Sequence, residues 1–263
     1  MTIAVLLLIV LIAGPVAPAA AQAPPASRFG ITDNSFLIEE AFNQEAGIFQ
    51  NIFVMARNTD NEWDGSFTQE WPVVSQRHQF SFTLPFSAVS NAMALGDLGL
   101  NYRVQVTDGE GRFPAFSPRL TLLSPTSAER RSLGGGGIGW QVNLPFSKQA
   151  GRMFFHGNAG TTLLPVEASA TSTREWSNAP FTGGSAIVAV TPMFNLMLES
   201  LVVWTHEEGV REPSVTVSPG FRLGWNLGDQ QIVIGIGVPV TRGDRHDTAV
   251  LGYFSYELPF RHK

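Results

Sequence analysis

The chain has 263 residues and no cysteine, which excludes disulfide cross-links and thiolate metal sites. Its net charge of −5 provides no basic field of the kind that nucleic-acid binding needs, so we expect no nucleic-acid partner. Charged residues are only 15% of the chain, against about 25% in typical soluble domains, which favours a membrane β-barrel over the alternative of a soluble all-β domain.

The N-terminus has the features of a targeting segment. An apolar core runs from Ile3 to Ala13, and small residues follow it up to Ala21. An apolar stretch of this length before small residues is typical of a cleaved signal peptide. We therefore expect residues 1–21 to be removed on export, and an uncleaved membrane anchor is the alternative. After residue 21 no apolar run approaches the ~18 residues that a membrane helix needs.

Residues 22–46 precede the first predicted strand. Pro24, Pro25 and Ser27 indicate a flexible lead, whereas residues 36–42 fit a short helix or a half-strand equally well. We expect residues 22–46 to form an N-terminal segment that either stays in the periplasm or enters the lumen of a barrel. The sequence leaves both alternatives open.

The clearest strand signal spans residues 97–107. Apolar side chains occupy the even positions from Leu98 to Val106, and polar side chains or glycine occupy the odd positions. Only a strand converts such strict alternation into one apolar and one polar face. The run is eleven residues long, which is the length of a membrane strand, since strands of soluble proteins cluster near 5–6 residues.

The same alternation recurs along the chain. Regular examples cover residues 79–86, 116–122, 138–146, 215–225, 231–238 and 250–260, and less regular ones cover 47–57, 65–72, 153–163, 183–191 and 194–204. Together these stretches predict about twelve strands, within a range of about 10 to 14. We predict an all-β fold in which residues 47–260 form a transmembrane antiparallel β-barrel.

The connections between these strands alternate in length. Long ones lie near residues 57–64, 87–96, 124–135, 164–182, 205–214 and 240–248, and short ones near 73–76, 108–114, 147–152, 192–193 and 227–228. Outer-membrane barrels have short periplasmic turns and longer external loops. The pattern therefore predicts the outer membrane of a Gram-negative bacterium, with its lipid as one partner.

The last predicted strand ends on an aromatic residue. Phe254, Tyr256, Leu258 and Phe260 share one face, and three further residues follow Phe260. A terminal aromatic of this kind resembles the signal by which outer-membrane proteins are recognised for assembly. We expect the barrel assembly machinery to bind the strand that ends at Phe260.

Several ordered blocks of sequence resemble a known family of outer-membrane barrels. The blocks are SFTQEWP (66–72), HQFSFTLPF (78–86), GDLGLNYR (96–103), FSPRLTLLSPT (116–126), QVNLPFSKQ (141–149), FHGNAGTT (155–162), PGFRLGWN (219–226), DQQIVIGIGVP (229–239) and FSYELPF (254–260). Over nearly the whole mature chain they look like the proteins named for the MetA-pathway of phenol degradation, many of which are labelled transporters. The resemblance implies an outer-membrane barrel, and it carries no functional residues over to this chain.

If the apolar face meets lipid, the opposite face lines the lumen. The charged candidates for this lining are three acids and three arginines, namely Glu70, Glu199, Glu257, Arg103, Arg119 and Arg222. The uncharged polar candidates are Gln79, Asn101, Gln105, Gln141, Asn143, His156 and Asn158. Charges are costly against lipid, so the lumen is their natural place. They either line a pore that sorts small solutes, or pair with each other to brace a narrow lumen.

The expected function is that of a passive channel or transporter for small molecules, with hydrophobic or aromatic solutes included. A structural barrel with a closed lumen is the alternative, and a soluble periplasmic domain is a weaker one. An outer-membrane lipid hydrolase would need a serine partnered with a histidine, and the sequence names no serine partner for His156. We therefore predict no catalytic residues, no metal site and no cofactor.

Overall fold

The computed structural model describes residues 30–31, 35–89, 92–125, 137–167, 174–207, 210–243 and 246–260. Within this part of the chain the backbone forms sixteen strand segments. They are β1 (Ile48–Asn58), β2 (Trp63–Val73), β3 (Ser75–Val89), β4 (Ala92–Leu95), β5 (Leu98–Val104), β6 (Thr107–Asp108), β7 (Ala115–Phe116), β8 (Arg119–Ser124), β9 (Gly139–Ala150), β10 (Met153–Glu167), β11 (Arg174–Thr191), β12 (Phe194–Glu207), β13 (Val210–Leu227), β14 (Gln230–Gly237), β15 (Val240–Gly243) and β16 (Asp247–Pro259). The predicted signal peptide lies outside the described residues. None of the described residues builds a helix of the length and apolarity needed to cross a bilayer.

The segments close into a barrel of twelve antiparallel strands. Segments β4 to β6 are successive parts of one strand, as are β7 with β8 and β14 with β15, because each set pairs along the same neighbours. The barrel closes where β1 pairs with β16, in a register from Ile48 opposite Pro259 to Asn58 opposite Ala249. Closure leaves no strand edge unpaired, which is the condition for a sheet to lie in lipid. The predicted fold and strand number are confirmed.

The outer surface of the barrel is an apolar belt. Large exposed apolar side chains occur on β1, β9, β12, β13, β14 and β16, and include Phe53, Met55, Trp140, Val142, Phe146, Leu196, Leu198, Val215, Val217, Ile234, Ile236, Val250 and Phe254. They alternate with residues that point inward, as the pleat of a strand requires. A closed barrel with such a belt is an outer-membrane protein, which confirms the predicted location in the outer membrane of a Gram-negative bacterium.

Four of the predicted long loops, 87–96, 164–182, 205–214 and 240–248, are mostly strand within the described residues. Strand pairing between β10 and β11 continues to Glu167 opposite Arg174, and pairing between β12 and β13 continues to Glu207 opposite Val210. The predicted loops 87–96, 164–182, 205–214 and 240–248 were therefore wrong in extent. Beyond the bilayer an outward side chain need not be apolar, so the backbone ladder continues while the alternation that marks a strand in the sequence disappears.

The stretch that gave the clearest strand signal is broken near its end. Residues 98–104 form β5, but Gln105 lies outside a strand segment, and only Thr107 and Asp108 resume the pairing as β6. The break faces Pro118, whose carbonyl accepts a hydrogen bond from Val104 N at 3.2 Å. Proline has no N–H to return to the ladder, so the pairing is interrupted at this point.

The belt predicts a strong dependence of stability on depth. Val142 is 40% exposed on the apolar face of β9, and Ile138 lies just before the start of that strand. Val142→Arg should lower the free energy of unfolding by about 2–4 kcal/mol, and Ile138→Arg by about 0–1 kcal/mol. Equilibrium unfolding from lipid vesicles measures both values. Equal losses would show that this face does not meet the bilayer core.

Candidate functional site

The inner wall of the barrel carries the polar side chains. Of the charged residues expected there, Glu70, Arg103, Glu199 and Arg222 are buried, whereas Arg119 and Glu257 are half-buried. Of the uncharged ones, the buried residues are Gln79, Asn101, Asn143, His156 and Asn158. Gln141 is half-buried, and Gln105 lies at the break beside β5. Most of the predicted lumen residues therefore lie buried or half-buried on the inner wall of the barrel.

The lumen is occupied by residues 35–46, the segment that precedes β1. Its backbone is irregular, and five of its N–H groups donate to side chains of the wall. Leu37 and Ile38 donate to Glu199 Oε1 at 2.7 and 3.1 Å, and Glu39 donates to Asn158 Oδ1 at 2.9 Å. A buried backbone outside helix or sheet needs such partners, since an unpaired N–H is costly. The polar wall thus holds a segment of the chain itself.

The remaining N–H donors of this set continue the same arrangement. Ala41 donates to Ser147 Oγ and Gln44 donates to Gln79 Oε1, each at 2.7 Å. Ser117 Oγ donates to the carbonyl of Ala41. The segment is therefore bound on both its N–H and its carbonyl side, by strands far apart in the sequence. We refer to residues 35–46 as the lumen segment.

The chain that flanks the lumen segment lies, on both sides, at the end of the barrel that carries the short turns. On one side Ile31 N donates to the carbonyl of Pro192, in the two-residue turn between β11 and β12, at 3.0 Å. On the other side the chain enters β1 at Ile48. Short turns mark the periplasmic end of outer-membrane barrels. The segment therefore enters the lumen from that end and returns to it.

Arg103 is the centre of the polar half of the site. Its guanidinium makes five hydrogen bonds, to Asn43 Oδ1, Glu39 Oε1, Gln79 Oε1 and the carbonyls of Glu40 and Phe42, at 2.7 to 3.1 Å. Arginine has five N–H donors, so every donor is used. With 2% of its surface exposed, Arg103 joins the wall to the lumen segment and is itself closed to solvent.

Glu39 receives both ion pairs that the structure shows for Arg103 and Arg119. Its Oε1 lies 3.0 Å from Arg103 Nη1, and its Oε2 lies 2.7 Å from Arg119 Nη1. The sequence had suggested that these arginines pair with acids on other strands. Instead, Glu70 accepts from Gln79 Nε2 at 2.7 Å, and Glu257 accepts from Gln44 Nε2 at 3.2 Å.

The other half of the lumen is apolar. Phe36, Val233, Leu251 and Tyr253 are buried in one cluster, and the Phe36 and Tyr253 rings lie 5.1 Å apart between centroids. The Phe36 ring fits against inward glycines, since a Cβ on Gly220 or Gly237 would lie 2.9 or 3.0 Å from it. Glycine is required where a ring approaches the backbone so closely. This apolar sector was not predicted from the sequence, because apolar residues of the strands were assigned to the outer face.

A serine partner for His156 exists inside the barrel. Ser147 Oγ lies 2.7 Å from His156 Nδ1, on neighbouring strands β9 and β10. Ser147 is completely buried beneath the lumen segment, where its oxygen also accepts the Ala41 N–H. The pair therefore serves as an anchor for the segment. Across the described ranges, no cluster of three or more metal-ligating side chains occurs.

Comparison with known proteins gives structural relatives only. No family model matches the chain, and no curated protein sequence matches it either. Among solved structures, the COG4313 outer membrane channel from Pseudomonas putida F1 is similar, with a TM-score of 0.60, 14% sequence identity and coverage of 82% of this chain and 97% of that chain. The NanC porin is similar with a TM-score of 0.53, 7% identity and coverage of 81% and 100%. At such identities the likeness establishes the outer-membrane barrel fold.

Proposed function

We propose that the protein is a passive outer-membrane channel for small solutes, and that the lumen segment is its gate. The observation that carries the proposal is the way this segment is held. Residues 35–46 are bound to the wall by hydrogen bonds, by the ion pairs of Glu39 and by the packing of Phe36. Within the described residues no covalent link or regular strand pairing fixes them. Such contacts can be exchanged for contacts with water or solute, whereas the strand ladder of the barrel cannot.

The nature of the solute is the finer part of the proposal. The sequence blocks that resemble the family named for the MetA-pathway of phenol degradation favour hydrophobic or aromatic solutes as the first class to test. The apolar cluster around Phe36 supports this choice, because it provides an apolar surface within an otherwise polar lumen. We also propose that the assembly machinery binds the strand ending at Phe260, whose backbone N–H donates to Gly47 at 2.8 Å.

A structural barrel with a closed lumen is the second candidate. It is supported by the close packing of side chains in the lumen, since Glu199 and Asn195 are completely buried and Arg222 is 1% exposed. In that case the polar wall and the lumen segment together form a core. The two candidate functions differ in whether the lumen segment ever moves out of its position in the lumen.

A disulfide lock separates the two candidates. Ser35 Oγ and Ser185 Oγ lie 2.7 Å apart, between the lumen segment and β11, and the chain has no cysteine of its own. In Ser35→Cys/Ser185→Cys the two sulfurs replace oxygens that are in contact, so we expect a disulfide to form. Disulfides in proteins have Cβ separations of about 3.5–4.5 Å. If the segment is the gate, the form refolded with oxidant should carry at least about tenfold less single-channel current in planar bilayers than the reduced form.

The single-cysteine variants provide the matched control, and they should conduct like the wild type under both conditions. Equal current in the oxidised and reduced double variant would contradict the gate. Absence of current in every form, including the wild type, would contradict the channel and leave the structural barrel.

A further inference from the structure

The wall of the lumen contains a cationic site that the chain fills with its own carboxylate. Glu39 Oε2 accepts from Arg119 Nη1 and from Asn143 Nδ2, each at 2.7 Å, and Glu39 Oε1 accepts from Arg103 Nη1 at 3.0 Å. The three donors belong to β5, β8 and β9, which are consecutive in the sheet. Arg103 lies opposite Arg119, and Arg119 lies opposite Asn143, in the strand register.

This arrangement divides the site between two parts of the molecule. All three donors belong to the rigid barrel, whereas the acceptor belongs to the lumen segment. Two arginines directly opposite each other on neighbouring strands repel unless an anion lies between them. Whenever the lumen segment withdraws, the wall therefore presents two guanidinium groups that need a replacement for Glu39.

The donors are held in place by residues other than Glu39. Arg119 Nη2 donates to Gln141 Oε1 at 2.6 Å, and Gln141 Nε2 donates in turn to Thr162 Oγ1 at 2.9 Å. Arg103 Nη2 donates to Gln79 Oε1 at 3.1 Å, and Gln79 is bound to Glu70. Each of these chains of hydrogen bonds lies within the wall. The wall therefore sets the position of the Arg119 guanidinium before any carboxylate arrives, and Arg103, whose other four hydrogen bonds go to the lumen segment, keeps its bond to Gln79.

One edge of the site, at Arg119, is partly exposed, and within the described residues Arg119 has one unused donor. The Arg119 side chain is 22% exposed and that of Glu39 is 15% exposed, whereas Arg103 is 3% exposed. In the described part of the chain, Arg119 Nε has no hydrogen-bond partner. A solute approaching through the lumen therefore meets Arg119 first, at the edge of the ion-pair site.

We propose that Arg103, Arg119 and Asn143 form a carboxylate-binding site, which Glu39 occupies while the lumen segment is seated and which a small carboxylate solute occupies in its place. A carboxylate supplies two oxygens in the geometry that paired guanidinium groups bind best. The exchange conserves charge, because one carboxylate leaves the site as another enters. This proposal rests on the proposed channel function and assigns small carboxylates to the solutes that the lumen recognises.

The test uses the full-length protein with the internal carboxylate removed. In Glu39→Ala the two arginines lack their anion, so 100 mM sodium acetate should raise the midpoint of unfolding well above that in sodium chloride of equal ionic strength. Acetamide, which has the same shape without the charge, should not. The wild type should show no difference between acetate and chloride, because its own Glu39 fills the site.

The matched control is Glu39→Ala/Arg119→Ala, in which half of the cationic site is gone. The apparent affinity for acetate, measured from the shift of the unfolding midpoint, should fall at least about tenfold relative to Glu39→Ala. Glu39→Gln provides a second starting variant if Glu39→Ala does not fold, since it keeps the length of the side chain and removes only its charge. In planar bilayers, millimolar acetate should reduce the chloride current of the Glu39 variants and leave that of the double variant unchanged.

Acetate without effect on Glu39→Ala and Glu39→Gln would overturn the carboxylate site, as would an equal effect of acetate on Glu39→Ala and on Glu39→Ala/Arg119→Ala. Normal wild-type current together with either result would leave the channel function intact. Conversely, selective stabilisation by acetate in a protein that carries no current would support the site and count against the channel.

Discussion

Replacing Arg103 with alanine should lower the free energy of unfolding by about 3–5 kcal/mol, because it removes one partner of a buried ion pair and leaves the other groups unpaired. The change deletes five hydrogen bonds. It leaves the carbonyls of Glu40 and Phe42 without the donor they have now, in a region from which water is largely excluded. Equilibrium unfolding from lipid vesicles measures the loss.

Arg103→Lys is the matched control for charge. Lysine keeps the positive charge but has three donors and no planar fork, so it cannot reproduce the five bonds. We expect Arg103→Lys to lose nearly as much stability as Arg103→Ala. Arg119→Ala should lose clearly less, because that side chain is partly exposed and its charge is screened. Arg103→Lys with the stability of the wild type would show that net charge, and not the hydrogen bonding of Arg103, holds the lumen segment.

The barrel itself could be predicted from the sequence because its signal is local. A strand in lipid must alternate apolar and polar faces, and Val142 and Leu144 beside Gln141 and Asn143 express that rule within a few residues. Each membrane-spanning strand repeats the rule independently. The number of strands then follows by counting, and closure follows because lipid tolerates no open sheet edge.

The ladders beyond the bilayer could not be predicted in the same way. In the extension of β11, Trp176 and Pro180 stand at positions where no apolar face is required, and the pairing with β10 nevertheless continues through Pro165 opposite Trp176. Backbone hydrogen bonds hold this part of the sheet together. Since every residue except proline can supply them, they leave no pattern in the sequence.

The lumen segment could not be predicted because its structure depends on distant residues. Residues 36–42 were open to a helix or a half-strand, and they form neither. The backbone of Leu37 is bound by Glu199, a separation of 162 positions, and that of Glu39 by Asn158, a separation of 119. No local pattern reports such contacts. The available signal was a short stretch that mixes polar and apolar residues, with Glu39, Glu40, Asn43 and Gln44 among the polar ones. Such a mixture fits a segment that contacts a polar wall on one side and an apolar wall on the other.

The inward apolar residues were missed for a related reason. Val233, Leu251 and Tyr253 alternate with the outward residues of β14 and β16, so both faces of these strands are apolar at that level. A wall that faces water would carry polar groups here. Apolar inward residues are expected only when the lumen segment is known to fill the lumen, because Phe36 brings an aromatic ring to this side of it.

Phe36→Ala should lower the free energy of unfolding by about 3–5 kcal/mol, the usual cost of truncating a buried phenylalanine. The ring is 8% exposed and packs on Tyr253 and on the inward glycines of β13 and β14. Because Leu37 and Ile38 are next in the chain, their hydrogen bonds to Glu199 should loosen at the same time. Their amide hydrogens should therefore exchange faster, which hydrogen exchange measures directly. Phe53→Ala is the control, since Phe53 is 46% exposed on the outer face and should leave the exchange of Leu37 and Ile38 unchanged.

Gly235→Ala tests the same contact from the side of the wall. A Cβ at this position would overlap the Phe36 ring, so the ring or the backbone must move, and overpacking of this kind costs about 1–3 kcal/mol. In the Phe36→Ala background the added methyl enters the space that the ring has left, and the second substitution should cost much less than it does alone. The double-mutant cycle then yields a coupling energy of about 0.5–3 kcal/mol, as expected for residues in direct contact. Strictly additive losses would show that Phe36 does not occupy the glycine-lined sector, and that the lumen segment is held by its polar contacts alone.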